Sequence, residues 1–151
     1  MARVAIVYKS IHHGNTKKLL DGLKTACEVD LFEVDAARHM DMSDYDVIGY
    51  ASGIYMAKIH GSIYTYLEEQ TMLPKKTFII ITSGSNSKKY GKVFSEYLRK
   101  KGLDILGIYS CKGFDTYGIF KLIGGKAKHH PNDSDIEAAV SFINEKISTS
   151  L

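Results

Sequence analysis

The chain reads as a doubly wound α/β domain, and two observations carry that reading. Five apolar runs recur along the sequence at Arg3–Tyr8, Glu28–Glu33, Val47–Ala51, Thr77–Thr82 and Asp104–Ser110, separated by segments long enough for amphipathic helices. The first, third and fourth runs are nearly continuous in β-branched and aromatic residues, as strands buried on both faces of a parallel sheet must be. Strict alternation of strand and helix then builds helices on both faces of such a sheet.

The first run, Val4 to Val7, leads into a short polar loop with a single glycine, Gly14, and then a helical pattern from Asn15 or Thr16. Strand, loop and helix start in that order form a geometry that collects an anion. The first turn of a helix carries partial positive charge, and glycine lets the chain turn and approach closely. Ser10, Asn15 and Thr16 add side-chain donors; a plain helix cap at Asn15 or Thr16 is the competing account. Further helices are expected at Thr16–Ala26, Ser62–Gln70, Tyr90–Lys101 and Ser134–Ile147. In the last of these Ile136, Ala139, Val140, Ile143 and Ile147 share one stripe, and Ser134 with Glu137 has the spacing of a capping box. Gly102 sits where a left-handed residue would close the preceding helix.

With 151 residues, 44% hydrophobic and 25% charged, the chain is sized for one core and one domain. No apolar run approaches the roughly 20 residues that span a bilayer, so no membrane insertion is expected. The amino terminus runs straight into a strand pattern without signal-peptide character, which makes a cytoplasmic location the expectation. Cys27 and Cys111 are far apart, as expected of neither a metal site nor a disulfide scaffold. The net charge of +3 is spread over scattered basic residues, and no nucleic-acid-binding motif stands out. His12-His13 and His129-His130 are adjacent pairs whose side chains diverge, so neither suits a metal.

In doubly wound sheets the ligand lies beyond the carboxyl ends of the strands. The loop there after the third run, Ser52-Gly-Ile-Tyr55-Met56-Ala-Lys58-Ile-His60, is unusually rich in flat and soft apolar side chains. The one after the fourth run, Thr82-Ser-Gly84-Ser-Asn86, is small and polar and is followed by Tyr90. The fifth, Cys111-Lys-Gly113-Phe114-Asp115-Thr-Tyr117-Gly118, is glycine-rich with aromatics. A phosphate-collecting loop beside such surfaces suits a flat heteroaromatic ring with a phosphate tail.

Val4–Thr16 resembles the start of a flavodoxin, whose phosphate loop reads Ser/Thr-x-Thr-Gly-Asn-Thr; Gly14-Asn15-Thr16 and the following helix match it. The Gly113–Gly118 stretch and Gly124-Gly125 with His130-Pro131-Asn132 are also similar to small flavodoxin-domain proteins. The resemblance implies a flavodoxin-like three-layer fold with a five-stranded parallel sheet in the order 2-1-3-4-5, and FMN as cofactor. It implies that Ser10, His13, Gly14, Asn15 and Thr16 hold the phosphate. Ser52, Gly53, Tyr55, Met56 and Ala57 would border the ring, with Met56 stacked on it. Ser83, Gly84 and Ser85 would line its pyrimidine side and Tyr90 cover the other face.

The departures from that pattern are specific. His13 replaces the threonine before the glycine, and Ser10 lies one residue further away. Ala57 and Lys58 stand where a glycine and an acid often follow the methionine. Alanine at positive φ would cost about 1 kcal/mol. Lysine there favours an anionic reduced ring, so a less negative two-electron potential is expected. Flavodoxin carriers are usually acidic, which this chain is not. His60 suits either a substrate contact or a helix start. Electron transfer between redox partner proteins is the function the resemblance implies. A small oxidoreductase acting on a quinone or porphyrinogen is the alternative, since Gly53–His60 resembles a loop of bacterial protoporphyrinogen oxidase. A flavin-free interaction module on the same fold is the third.

Overall fold

A computed structural model describes residues 2–115, 124–125 and 127–150. Part of the long loop after the fifth run, with Thr116, Tyr117 and Gly118 of its aromatic motif, lies outside the described residues.

Strand β1 (Val4–Lys9) passes through a 3-10 turn (His12–Gly14) into α1 (Asn15–Lys24). Then come β2 (Val29–Glu33), the one-turn α2 (Val34–Ala37), β3 (Val47–Tyr55), the two-residue β4 (Lys58–Ile59) and α3 (Gly61–Glu69). The chain finishes with β5 (Lys76–Ser83), α4 (Lys89–Lys100), β6 (Asp104–Lys112) and α5 (Asp133–Ser150). Five strands pair in parallel in the order β2-β1-β3-β5-β6, which is the implied 2-1-3-4-5 with the short β4 left out of the count. The fold is the flavodoxin-like doubly wound α/β sheet. α2 and β4 were not expected from the apolar pattern, because neither is long enough to show a period.

Two apolar layers flank the sheet, built from alternate residues of the same strands. Val4 and Ile6 face Leu19, Leu20 and Leu23 of α1 and Ala139 and Ile143 of α5. Ala5 and Val7 face Ile63, Tyr66 and Leu67 of α3 and Phe94 and Leu98 of α4. Each of the valine, leucine, isoleucine and phenylalanine side chains among them, fully buried, contributes about 1.5–3 kcal/mol against exposure. Gly49 in the middle of β3 is obligatory, because a Cβ there would lie 2.2 Å from the Phe78 ring.

The helix ends show how local chemistry sets the boundaries. Gly102 (φ +83°) ends α4, with Leu103 N–H donating to Leu98 O at 3.1 Å and Gly102 N–H to Arg99 O at 2.9 Å. That is the Schellman pattern. The capping box of α5 lies two residues before the expected Ser134–Glu137 pair. Asp135 N–H donates to Asn132 Oδ1 (3.0 Å) and Asn132 N–H to Asp135 Oδ2 (2.8 Å). A carboxamide and a carboxylate serve as well as serine and glutamate, so the spacing was right and the register wrong.

Candidate functional site

The loops leaving β1, β3, β5 and β6 surround a cavity of about 630 Å³ at the carboxyl ends of the strands. A volume of that order accommodates a cofactor-sized ligand. The cavity spans the gap between β1 and β3 where the strand order reverses, the position at which doubly wound sheets bind ligands. Of the expected residues, Asn15, Thr16, Gly53, Tyr55, Met56, Ala57, Ser83, Gly84, Ser85 and Tyr90 line it; Ser10, His13, Gly14 and Ser52 do not.

The first loop is held by its own side chains. Ser10 Oγ accepts the Lys17 N–H at 3.0 Å and so caps α1 from outside the helix. Neither Asn15 nor Thr16 is that cap. Gly14 (φ +63°) adopts the left-handed backbone for which glycine is suited, and His13 adopts it too (φ +53°). The His13 ring packs on Phe114 at 4.3 Å between centroids. The carboxamide of Asn15 is engaged by the last loop, Nδ2 donating to Phe114 O (2.8 Å) and Oδ1 accepting Phe114 N–H (3.2 Å). Gly113 permits this clamp, since a Cβ there would lie 2.8 Å from Asn15 Nδ2. Thr16 is buried, its hydroxyl 2.9 Å from that of Thr82 on β5. These two side chains therefore tie loops together. What reaches the cavity beside them is the positive end of the α1 dipole.

The second loop is a tight hairpin. Ile54 pairs with Ile59 and Tyr55 with Lys58, so Met56 and Ala57 are its two central residues. Both have positive φ, +49° and +64°, which a type I′ turn demands and which Asn-Gly normally supplies. The expected left-handed alanine is present, with a left-handed methionine before it. Met56 is 88% exposed at the cavity mouth. Tyr55 Oη accepts the Ile11 N–H at 3.0 Å, joining this hairpin to the first loop. Ser52, expected at the ring, instead holds the base of the hairpin. Its hydroxyl donates to Gly53 O (2.6 Å) and accepts His60 N–H (3.1 Å).

His60 starts α3: Ser62 N–H donates to its Nδ1 at 3.1 Å, and the Ser62 hydroxyl lies 2.8 Å from the same nitrogen. Burial, and then the Lys9 ammonium, hold the imidazole below its ordinary range, against the opposing pull of Glu33.

The third loop supplies the polar wall. Ser83 lines the cavity, and its Oγ is buried without a hydrogen-bond partner among the described residues. A buried orphan hydroxyl is costly unless a ligand satisfies it. Gly84 lies against the fourth loop; a Cβ on it would be 2.7 Å from Asp115 Oδ2. Ile11, Ile54, Thr82, Gly113, Phe114 and Asp115 also line the cavity and were not among the expected site residues. The motif containing Gly113, Phe114 and Asp115 was visible in the sequence, but its approach to Asn15 across 99 positions was not.

No group of three or more histidine, cysteine or acidic residues is placed to hold a metal among the described residues. No helix among them is long and apolar enough to cross a membrane. Burial pushes the Cys111 thiol up to about 12, so it is not poised as a nucleophile.

The flavodoxin-domain family profile matches residues 5–111. An uncharacterized protein of Methanocaldococcus jannaschii is 42% identical over 142 residues, 93% of this chain and 95% of its own. Among solved structures, a flavodoxin from the domain Archaea aligns over 95% of this chain and 98% of its own with TM-score 0.61 and 13% identity. The Trp repressor binding protein of Bacillus subtilis aligns over 93% and 97% with TM-score 0.65 and 13% identity. A flavoprotein of Lactobacillus acidophilus solved in complex with FMN aligns over 73% and 93% with TM-score 0.61 and 20% identity. At these identities the structural likenesses establish the fold, whereas the profile and the archaeal relative establish kinship. The chain belongs to the flavodoxin-domain family, and FMN is the cofactor that goes with it.

Proposed function

We propose that the protein is an electron carrier that passes electrons between redox partner proteins through FMN held in the strand-end cavity. The observation that carries the reading is the strand-end cavity itself, bounded by a helix start, a small polar loop and an apolar hairpin, with the buried, unpartnered Ser83 hydroxyl in its wall. When bound, FMN supplies the one- and two-electron chemistry; the chain supplies position and electrostatics.

In this reading the turn around Gly14 and the start of α1 hold the phosphate, with Ser10 and His13 beside them. Ser83 and the backbone of Gly84 and Ser85 face the polar edge of the ring. Met56 covers one face and Tyr90 the other, while the tight Gly84–Asp115 contact keeps the third and fourth loops together. Lys58 is exposed on the outgoing arm of the hairpin, and its ammonium favours negative charge on whatever the hairpin covers. Tyr55, through Ile11, fixes that hairpin against the phosphate loop, so the two ends of the ligand are gripped by one connected framework.

The test is a visible absorption spectrum of the purified chain after incubation with FMN, with the retained flavin released and identified. A yellow protein of one FMN per chain is expected, with a two-electron potential less negative than that of an acidic flavodoxin. A chain that takes up no FMN refutes the reading. Turnover of a quinone or porphyrinogen by the holoprotein alone would replace the carrier with an oxidoreductase.

A further inference from the structure

Three of the four loops that wall the cavity contain lysine and no carboxylate. Residues 10–18, 54–66 and 84–95 together carry Lys17, Lys18, Lys58, Lys88, Lys89 and Lys92 and not one aspartate or glutamate. All six side chains belong to exposed residues on the loops or the first turns of the helices that follow them. Lys17 is paired with Asp21 at 2.7 Å, and Lys89 lies over the Tyr90 ring at 5.3 Å.

The other charged groups facing this end among the described residues are mixed in sign. Lys112 ends β6, and Asp115 lines the cavity itself. Asp135 is tied to His130 and to the Asn132 amide, with Asp133 exposed at the start of α5. Asp35 follows β2, and Glu33 is paired with Lys9. The opposite end of the sheet carries Lys24, Lys76, Arg99, Lys100 and Lys101 as well, mixed with acids, Asp44 and Asp46 both lying against Arg3. What sets the cavity mouth apart is therefore not total charge but that these three loops carry lysine with no carboxylate among them. Two apolar side chains on these same loops line the cavity and stand exposed, Ile11 at 58% and Met56 at 88%. An apolar centre flanked by loops that carry lysine and no carboxylate is the anatomy of a steered encounter surface.

We propose that this rim is the docking face for an acidic redox protein, one that presents carboxylates around an apolar patch at its own electron-transfer site. The proposal rests on the electron-carrier reading for its purpose but on charge and exposure for its geometry. Lysines scattered over separate loops attract a charged surface without demanding one orientation, and steering of that kind raises association rates by roughly 10 to 10³. An anionic lipid surface fits less well. Tyr55, Tyr90 and Phe114 are turned into the cavity, which leaves no exposed aromatic at this mouth among the described residues to seat in an interface.

The experiment is backbone amide shift mapping of the full holoprotein with an acidic iron–sulfur ferredoxin as probe and basic cytochrome c as its opposite. FMN content is read by absorbance on the same samples. The ferredoxin is expected to shift amides in residues 10–18, 54–61 and 84–92, with affinity falling about tenfold or more as salt rises from about 20 to about 200 mM. Joint substitution Lys18→Glu, Lys88→Glu and Lys92→Glu, none of which lines the main cavity, is expected to weaken binding at least about tenfold while FMN uptake stays unchanged. Equal binding of cytochrome c, shifts confined to another face, or wild-type affinity in the triple variant would overturn the proposal. So would co-sedimentation with phosphatidylglycerol vesicles by a chain that ignores the ferredoxin. If the chain takes up no FMN, the function reading fails, and the same mapping on the apo form still decides the docking face.

Discussion

Replacing Ala57 with glycine should stabilise this protein, although glycine usually destabilises whatever it enters. Ala57 sits at φ +64° in the second central position of the Tyr55–Lys58 hairpin. An L-residue there is penalised by about 1–2 kcal/mol. Glycine removes that penalty but adds unfolded-state entropy of about 0.4–1 kcal/mol. Ala57 is exposed, so losing its methyl forfeits little burial. The net gain expected is about 0.5–1 kcal/mol. The double variant Met56→Asn, Ala57→Gly adds the preferred first residue of a type I′ turn and should reach about 1–2 kcal/mol. Met56 is 88% exposed, so its packing loss is small. For a chain of this length the double variant should melt about 3–6 °C higher. Urea titration and calorimetry are made on the FMN-free chain, so that ligand linkage does not enter. Ala36→Gly, an exposed position in the one-turn α2, is the control and should cost about 0.5–1 kcal/mol. Loss of stability in Ala57→Gly matching that control would show that the hairpin does not hold the left-handed conformation and would refute the strain account.

Three further outcomes are expected. Thr16→Val and Thr82→Val should each destabilise by about 1–3 kcal/mol, because each strands a buried hydroxyl, whereas the double variant should be milder than their sum; additive losses in a double-mutant urea cycle would contradict the pairing. Ser83→Ala removes an orphan hydroxyl, so the apo chain should be unchanged or slightly more stable while FMN affinity, by fluorescence titration, drops about 3–10-fold; unchanged affinity would separate Ser83 from the ligand. His60 is held below its ordinary value of 6.5, so its neutral form stabilises the fold above that pH and the contribution is lost as pH falls through the depressed folded value. His60→Asn keeps an acceptor for the Ser62 amide and should therefore flatten the loss of melting temperature between about pH 7 and pH 5; an identical pH profile would mean that other groups set it.

Much of the architecture was legible because it rests on patterns that need no partner. The continuous apolar runs at Val4–Val7 and Thr77–Thr82 announce strands covered on both faces, and Gly102 announces the end of α4 through the backbone freedom it alone supplies there. The elements that escaped, α2 and β4, are shorter than one period of any pattern. The α5 cap was misplaced because serine and asparagine compete on equal terms for the position, and only the folded backbone selects one of them.

The candidate site divides along the same line. That four loops meet at the strand ends follows from parallel strands joined by helices, and ten of the residues bordering the cavity could be named from those loops, although Ile11, Ile54, Thr82, Gly113, Phe114 and Asp115 were missed. Which atoms remain available there could not. Asn15 and Thr16 look like ligand donors in one dimension, yet their polar atoms meet Phe114 and Thr82, 99 and 66 positions away. Ser83, no different in composition from Ser85, is the one of the two whose hydroxyl is buried without a partner among the described residues. Residue type and spacing determine local propensity and periodicity, and with them the order of strands and helices. Hydrogen-bond satisfaction at a rim is settled by through-space neighbours, so only the assembled sheet decided which side chains brace the loops and which line the cavity.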